Sequence, residues 1–268
     1  MLGLNSSMVS GGCLDSVVTF YNTTTNTNSM EFSGGTGATG DYLSIADDDD
    51  FSFIDIPFSV AFWVKLDAVN SAGFISKSSS VVTSSTSLGE YRIFMAGGQF
   101  YIDIANGNMY DSSSHRRIKF NNPSTTNWQH VVITSDGTDD SNLGGHVNLY
   151  VKGNKLSNVF TSGTGDGMSN LSGNFKIGVA NDIAPRYLNG NMLQFMMWRN
   201  AELSQNEVTY LYANGANHRD PTQNIGDYTS SSNLLLWLPL QSNVNDSSGN
   251  GHNMTNNNNV STEANVPF

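Results

Sequence analysis

"NWQHVVITSDG" (Asn127–Gly137), followed after a short polar gap by "HVNLYVKGN" (His146–Asn154), decides how this chain folds. The first stretch sets a Trp ahead of a β-branched run and closes on Asp-Gly. In the second, Val147, Leu149 and Val151 alternate with Asn148, Tyr150 and Lys152, and the run closes on Lys-Gly-Asn. A period of two puts successive side chains on opposite faces of an extended strand, and β-branched residues fit a pleated surface. Each half therefore reads as a strand running into a turn, and the two are expected to pair.

The same pattern extends outward. In "FSVAFWVKL" (Phe58–Leu66), Phe58, Val60, Phe62 and Val64 face one way, and Ala61 and Trp63 are apolar on the other. A strand apolar on both faces is central in its sheet. "EYRIFMAGGQFYIDIAN" (Glu90–Asn106) reads as two strands joined at Gly97-Gly98, a hairpin signal. "RRIKF", "NFKIGVA", "GNMLQFMMWRN" and "LLLWLPL" supply further strands, with Pro239 ending the last or holding it at an edge. One helix is specified, by "LSQNEVTYLYANG". Ser204 and Glu207 stand at capping-box spacing, Leu203 and Val208 at staple spacing, and Gly215 is the stop. This short helix is expected across one end of the structure.

The chain has 268 residues, long enough for a sizeable core without staples. Only 13% of residues are charged, the net charge is −11 and the pI about 4.6. Such a surface has little with which to replace phosphate counterions, which argues against nucleic acid and anionic membrane as partners. The single cysteine, Cys13, excludes an internal disulfide framework. No run approaches a membrane span, and the first residues lack the cationic start and long apolar run of a signal peptide. Residues 1–30 read as an arm or anchoring segment, with a small apolar island from Val17 to Tyr21.

Seven pieces stand in one order: "FSGGTGATGDYLSI", "FSVAFWVK", "WQHVVITSDG", "VNLYVKGN", "FKIG", "YLNGNMLQFMMW" and "LSQNEVTYLYANG". In that order they resemble the laminin-G-like/concanavalin A-like jelly-roll family, over about Glu31 to Gly215. The resemblance implies an all-β fold, a two-sheet antiparallel jelly-roll sandwich with one short helix, in which Trp128 plugs the core. The segment "DYTSSSNLLLWLPLQSNVNDSSGNGHNMT" resembles a piece that opens the domain in many members; here it comes last. The expected organisation is an arm at 1–30, a jelly roll at 31–215, and a linker, strand and Asn-rich tail at 216–268 that complete the sandwich. The style of the chain is similar to laminin-G-like proteins of tailed phages.

Candidate sites follow from side-chain chemistry. Glucanases of this superfamily carry paired carboxylates on one strand. The five glutamates here (31, 90, 202, 207 and 263) show no such pattern, so glycoside hydrolysis is disfavoured. "GTGATG" (Gly35–Gly40) lacks the following helix of a dinucleotide site and reads as a turn. "DDDD" (Asp47–Asp50) reads as a solvated turn. Asp41 and Asp246, the latter beside Asn250 in "NDSSGNGHN", offer hard oxygen ligands, and since laminin-G-like domains often hold Ca²⁺, the resemblance carries a Ca²⁺ site to these two residues. Tyr101, Tyr110 and Tyr187 are candidates for sugar contact, whereas Trp63, Trp128, Trp198 and Trp237 lie in apolar strands and are expected in the core. His115, Arg116, Arg117 and Lys119 form a cationic cluster suited to docking another protein, or to protecting a sheet edge. The leading expectation is a non-enzymatic virion surface protein, a capsid decoration or fibre/adhesin component. It would be a homo-oligomer contacting other virion proteins. The alternative is a carbohydrate-binding lectin module, with Ca²⁺ and cell-surface glycans as ligands.

Overall fold

The computed structural model describes residues 26–36, 39–82, 87–121, 126–138, 143–180, 185–213 and 220–267. The expected arm at 1–30 falls almost wholly outside them, as do Cys13, Gly215 and the island Val17–Tyr21.

Two antiparallel sheets face each other. Numbered along the chain, one sheet runs β10 (Asn154–Leu156), β9 (Val147–Val151), β8 (Gln129–Ser135), β3 (Phe58–Leu66), β15 (Asn189–Arg199), β1 (Ser29–Ser33) and β18 (Ser261–Glu263). In this sheet β16 (Leu234–Leu238) also pairs with β15. The other runs β11 (Asn158–Ser162), β7 (His115–Asn121), β6 (Gln99–Asn108), β5 (Ser87–Ala96), β4 (Ser71–Val82), β12 (Phe175–Ile177), β2 (Tyr42–Ile45) and β17 (Thr255–Asn257). A two-strand unit, β13 (Val179–Ala180) with β14 (Arg186–Tyr187), lies against β4. The fold is the expected all-β sandwich. The two stretches that opened the sequence analysis are neighbours, with Val131 opposite Val151 and Ile133 opposite Leu149.

Phe58–Leu66 is central as its two apolar faces require, lying between β8 and β15. One face points between the sheets, where Phe62, Phe74, Phe100 and Phe195 form a chain of ring contacts with centroids 5.0–6.0 Å apart. Each is at most 1% exposed, so each contributes roughly 1.5–3 kcal/mol of hydrophobic burial. The opposite face carries Ala61, and with Val132, Tyr150, Met196 and Trp198 it forms a second apolar layer.

That second layer decides where the helix goes. After the four-residue helix α1 (Leu143–His146), helix α2 (Gln205–Ala213) places Val208 in this layer beside Leu203, Tyr228 and Trp237. It therefore lies on the outer face of the first sheet rather than across an end, because that face is apolar and needs cover. The capping box forms as its spacing predicted. The Ser204 N–H and hydroxyl both donate to Glu207 Oε2 (2.9 Å each), and the Glu207 N–H donates to Ser204 Oγ (3.3 Å). Glu207 Oε1 also accepts from Thr229 and Ser230, tying the helix start to the chain that leads into β16.

Trp63, Trp198 and Trp237 are buried, but towards this outer layer rather than between the sheets. Trp128 does not plug the core. The paired part of its strand begins at Gln129, so Trp128 stays at the half-buried rim, where its Nε1 donates to Asn265 Oδ1 (3.2 Å). The last fifty residues serve both sheets, through β16 on β15, β18 on β1 and β17 on β2.

Candidate functional site

The hairpin turn at Gly97-Gly98, both with positive φ, sets Ala96 opposite Gln99. That register propagates across the second sheet. Tyr91, Ile93 and Met95, with Phe100, Ile102 and Ile104, turn to the core. The other face then carries two rungs of opposed residues. One is Arg92–Asp103–Arg117 and the next is Phe94–Tyr101–Lys119.

Asp103 is fully buried between two guanidiniums. Arg92 Nε donates to its Oδ2 (2.7 Å), and Arg117 donates through Nε to Oδ1 (2.6 Å) and through Nη2 to Oδ2 (2.7 Å). Burial alone would raise its pKa. The Arg117 hydrogen bonds and the charges of Arg92 and Arg117 outweigh that, and hold the carboxyl below the usual carboxylate range. On the neighbouring rung Phe94 stacks on Tyr101, centroids 4.8 Å apart and planes 13° from parallel. The guanidinium carbons of Arg92, Arg117 and Arg186 lie 5.3, 5.6 and 4.9 Å from the Phe94 centroid. Lys119 Nζ sits 5.0 Å from the Tyr101 ring and 4.4 Å from that of Phe160. Such cation–ring contacts are worth about 0.5–2 kcal/mol each, according to solvent access.

Above these rungs opens a cavity of about 430 Å³, lined by Arg92, Phe94, Tyr101, Tyr110, Arg117 and Arg186, among others. This volume lies in the range of small-molecule sites. The loop after β6 brings Tyr110, whose ring lies 5.5 Å from the Arg92 guanidinium. Arg186 arrives from β14, which can pack on β4 because position 73 is a glycine. A Cβ there would sit 2.1 Å from the Arg186 carbonyl oxygen and 2.2 Å from the Ala180 nitrogen.

The cavity unites residues the sequence had divided between two roles. Tyr101 and Tyr110, read as sugar contacts, share it with His115 and Arg117, read as protein contacts. Arg116 points the other way, 6% exposed, at the end of the core. The cationic strand is not an edge, since β11 covers it. Tyr187 lies elsewhere, its ring against Gly40 and 6.5 Å from that of Tyr42. Arg92, Phe94, Asp103 and Arg186 were not foreseen. The first three follow from the hairpin register; Arg186 depends on a tertiary approach that no local pattern encodes.

Asp41 and Asp246 are used by the chain itself. Asp41 Oδ2 accepts from the Ser33 N–H (3.0 Å) and hydroxyl. Asp246 Oδ1 accepts from the Trp237 and Ser248 N–H groups, and Oδ2 from the Ser248 hydroxyl and the His252 N–H. Four donors fill the four lone-pair positions of a carboxylate. Burial works against the charge, but these donors win and keep the Asp246 pKa below its ordinary value. Among the described residues no group of three or more His, Cys, Asp or Glu side chains could hold a metal. Asp246→Ala is expected to cost about 2–3 kcal/mol, because backbone N–H groups lose a charged acceptor. The loss, read by urea unfolding, should be equal in EDTA and in millimolar Ca²⁺. A loss seen only with Ca²⁺ would make Asp246 a metal ligand instead.

The four acidic residues at 47–50 find separate partners. Asp47 pairs with buried Lys77 (2.7 Å), Asp48 accepts from the Asp50 N–H, Asp49 from Asn170, and Asp50 faces His252 at 3.5 Å. Arg199 Nη1 donates to the carbonyls of Asp49, Asp50 and Ser52, adding a cation beneath the turn.

The family model of the concanavalin A-like lectin/glucanase superfamily matches residues 36–209. Among solved structures, a Bacteroides ovatus protein provisionally named for carbohydrate binding is 18% identical. The match has a TM-score of 0.56 and covers 90% of this chain and 60% of that one. A heptameric pentraxin of Limulus polyphemus is 17% identical over 70% of this chain and 82% of its own (TM-score 0.47). The carbohydrate-binding module of a Ruminococcus gnavus sialidase, bound to sialyllactose, is 10% identical over 67% and 96% (TM-score 0.44). No curated protein matches the chain.

Proposed function

Because the chain belongs to the concanavalin A-like lectin/glucanase superfamily, we propose that it is a non-catalytic carbohydrate-binding module. Its site is the cavity above the Arg92–Asp103–Arg117 and Phe94–Tyr101–Lys119 rungs. The observation that carries this reading is the cavity itself: about 430 Å³ on the outer face of a rigid sheet, with Tyr101 and Tyr110 beside fixed guanidinium donors. Amphipathic rings next to convergent polar groups suit a ligand that is apolar on the faces of its ring and hydroxylated around its edge.

The non-catalytic part is supported by the glutamates, each of which serves the structure. Glu31 accepts from Ser261, Glu202 from Asn148, Glu263 from Asn191, Glu207 caps α2, and Glu90 is buried against Lys77. The module would meet its ligand outside the cell or at a virion surface. The virion role itself has its proposed anchor at residues 1–30, and the described site favours the lectin reading over it.

Affinity electrophoresis through gels cast with a panel of neutral and acidic polysaccharides tests the proposal. Retarded migration in at least one gel is expected, without release of reducing ends, and Tyr101→Ala should migrate as in a plain gel. Unretarded migration throughout, or released reducing ends, would overturn it.

A further inference from the structure

Away from the ligand cavity, the geometry points to an autocatalytic step: Lys77 and Asp47 condense to an intramolecular isopeptide bond, with Glu90 as the proton relay. Strands β2, β12, β4 and β5 lie side by side, and their register puts Ile45, Phe175, Lys77 and Tyr91 in one row. Lys77 is fully buried in that row. Its flanks are aromatic: Phe51 stacks on Phe175 with centroids 4.7 Å apart, and the Tyr91 hydroxyl donates to the Phe51 carbonyl (3.0 Å). Asp47 follows the end of β2, and Glu90 stands beside Tyr91 on β5. The Lys77 Nζ donates to Asp47 Oδ1 (2.7 Å), to Glu90 Oε1 (2.8 Å) and to the Leu171 carbonyl (3.3 Å). The Lys77 and Glu90 side chains are shut off from solvent, whereas that of Asp47 is 37% exposed.

Two carboxylates share one ammonium here, and Glu90 Oε2 is buried without a hydrogen-bond partner. A dry cluster of charges carries a desolvation penalty that a neutral amide does not. Burial raises the Glu90 pKa against the opposing pull of Lys77 and the Leu171 N–H. Glu90 therefore takes up a proton more readily than an exposed glutamate, as a relay between two reacting groups must. It accepts one proton from Lys77, and rotation about the Cε–Nζ bond turns the freed lone pair towards Asp47. The Asp47 Cγ lies one bond beyond Oδ1, near the roughly 3–3.5 Å separation of a near-attack pair. As the amine attacks Cγ, Glu90 hands its proton to the departing Asp47 oxygen and then relays a second from the same nitrogen. One C–N bond forms, one C–O bond breaks, and the two protons leave with the oxygen as water. Nothing is oxidised or reduced, and Glu90 ends as it began. Asp47 is the acceptor because its exposed side lets the water out, while Glu90 Oε1 is also held by the Leu171 N–H (3.0 Å). The bond would staple the end of β2 to β4 across β12.

The test is the intact mass of the full chain, measured on unfolded protein, with the tryptic peptides sequenced by fragmentation. The wild type is expected one water lighter than its sequence mass. Trypsin should fail to cut after Lys77, and one branched peptide should join the segments that carry Lys77 and Asp47. Asp47→Ala should keep its full sequence mass. Glu90→Gln should lose water at least about a hundredfold more slowly than the wild type, the lower end of what a positioned acid–base group contributes. A wild-type mass unchanged after prolonged incubation between pH 5 and 8 would overturn the proposal and leave Lys77 a permanent ion-pair partner. So would a lost water without the branched peptide, as a cyclic imide at Asp136-Gly137 would give. A branch to Glu90 would overturn the roles assigned to the two carboxylates. Should either variant fail to fold, the wild-type mass and its branched peptide still decide.

Discussion

Replacing His130 by phenylalanine is expected to stabilise the protein at neutral pH and to flatten its response to acid. His130 is 1% exposed on β8, stacked on Tyr212 (6.1 Å) and tilted against Trp63 (5.0 Å), and neither ring nitrogen has a hydrogen-bond partner. A buried donor and a buried acceptor left unmade each cost about 1–3 kcal/mol; overpacking by the larger phenyl ring takes back about 1–3 kcal/mol, so the net gain should be about 1–3 kcal/mol. Burial also disfavours the charged imidazolium and pushes the His130 pKa down to about 3, against 6.5 in the unfolded chain.

The sign follows directly. Between pH 6.5 and about 3 the unfolded state holds a proton that the folded state refuses, so stability is full above 6.5 and falls as pH drops, by about 1.4 kcal/mol per pH unit. Several carboxylates act in the lower part of that window. Glu90, whose pKa is raised chiefly by burial, acts in the opposite sense, gaining stability as pH falls from its raised value to the ordinary glutamate value; Asp103 and Asp246 lose theirs only below the ordinary carboxylate range. All of these cancel when wild type and His130→Phe are compared at each pH. Urea unfolding from pH 7.5 to 4.5 should give two curves that diverge below 6.5. Parallel curves would mean that His130 finds a partner or a route to solvent.

Much of the site could be read before the fold was known, and particular residues show why the rest could not. The alternation in Glu90–Asn106 separates Arg92, Phe94, Tyr101 and Asp103 from the core-facing Tyr91, Ile93, Phe100 and Ile102. A two-residue turn at Gly97-Gly98 then fixes Phe94 opposite Tyr101 and Arg92 opposite Asp103. Strand β7 follows the same rule, so "HRRIK" splits into outward Arg117 and Lys119 and inward Arg116. Helix α2 was legible as a helix from its capping box. Its seat was not, because period-two patterning does not distinguish a face turned to the core from one covered by a helix. The aspartates at 41 and 246 looked like metal ligands since hard oxygen atoms serve turns and cations equally well. Sequence spacing does not reveal the donors that the fold brings to them, Ser33 for one and Trp237, Ser248 and His252 for the other.

Gly73→Ala is expected to give the largest loss of ligand binding of any single change outside the cavity wall. The methyl group would stand 2.1 Å from the carbonyl oxygen of Arg186 and 2.2 Å from the nitrogen of Ala180, both backbone atoms that no side-chain rotation can clear. Strands β13 and β14 must then lift from β4 by about 1 Å or more to restore ordinary contact distances. That movement strains the hydrogen bond from the buried Ser76 hydroxyl to the Val179 carbonyl (3.0 Å) and carries Arg186 off the Phe94 ring. Overpacking of this kind costs about 1–3 kcal/mol, so the variant should still fold, with a lower melting temperature. Binding in the cavity, whose wall includes Arg186, should fall more than tenfold as that wall moves. Ser76→Ala separates the two effects, since it removes the same hydrogen bond without any push; it should lose stability but keep most of the affinity. If Gly73→Ala retained both the melting temperature and the affinity of the wild type, the packing of β14 on β4 would not be what places Arg186 at the site.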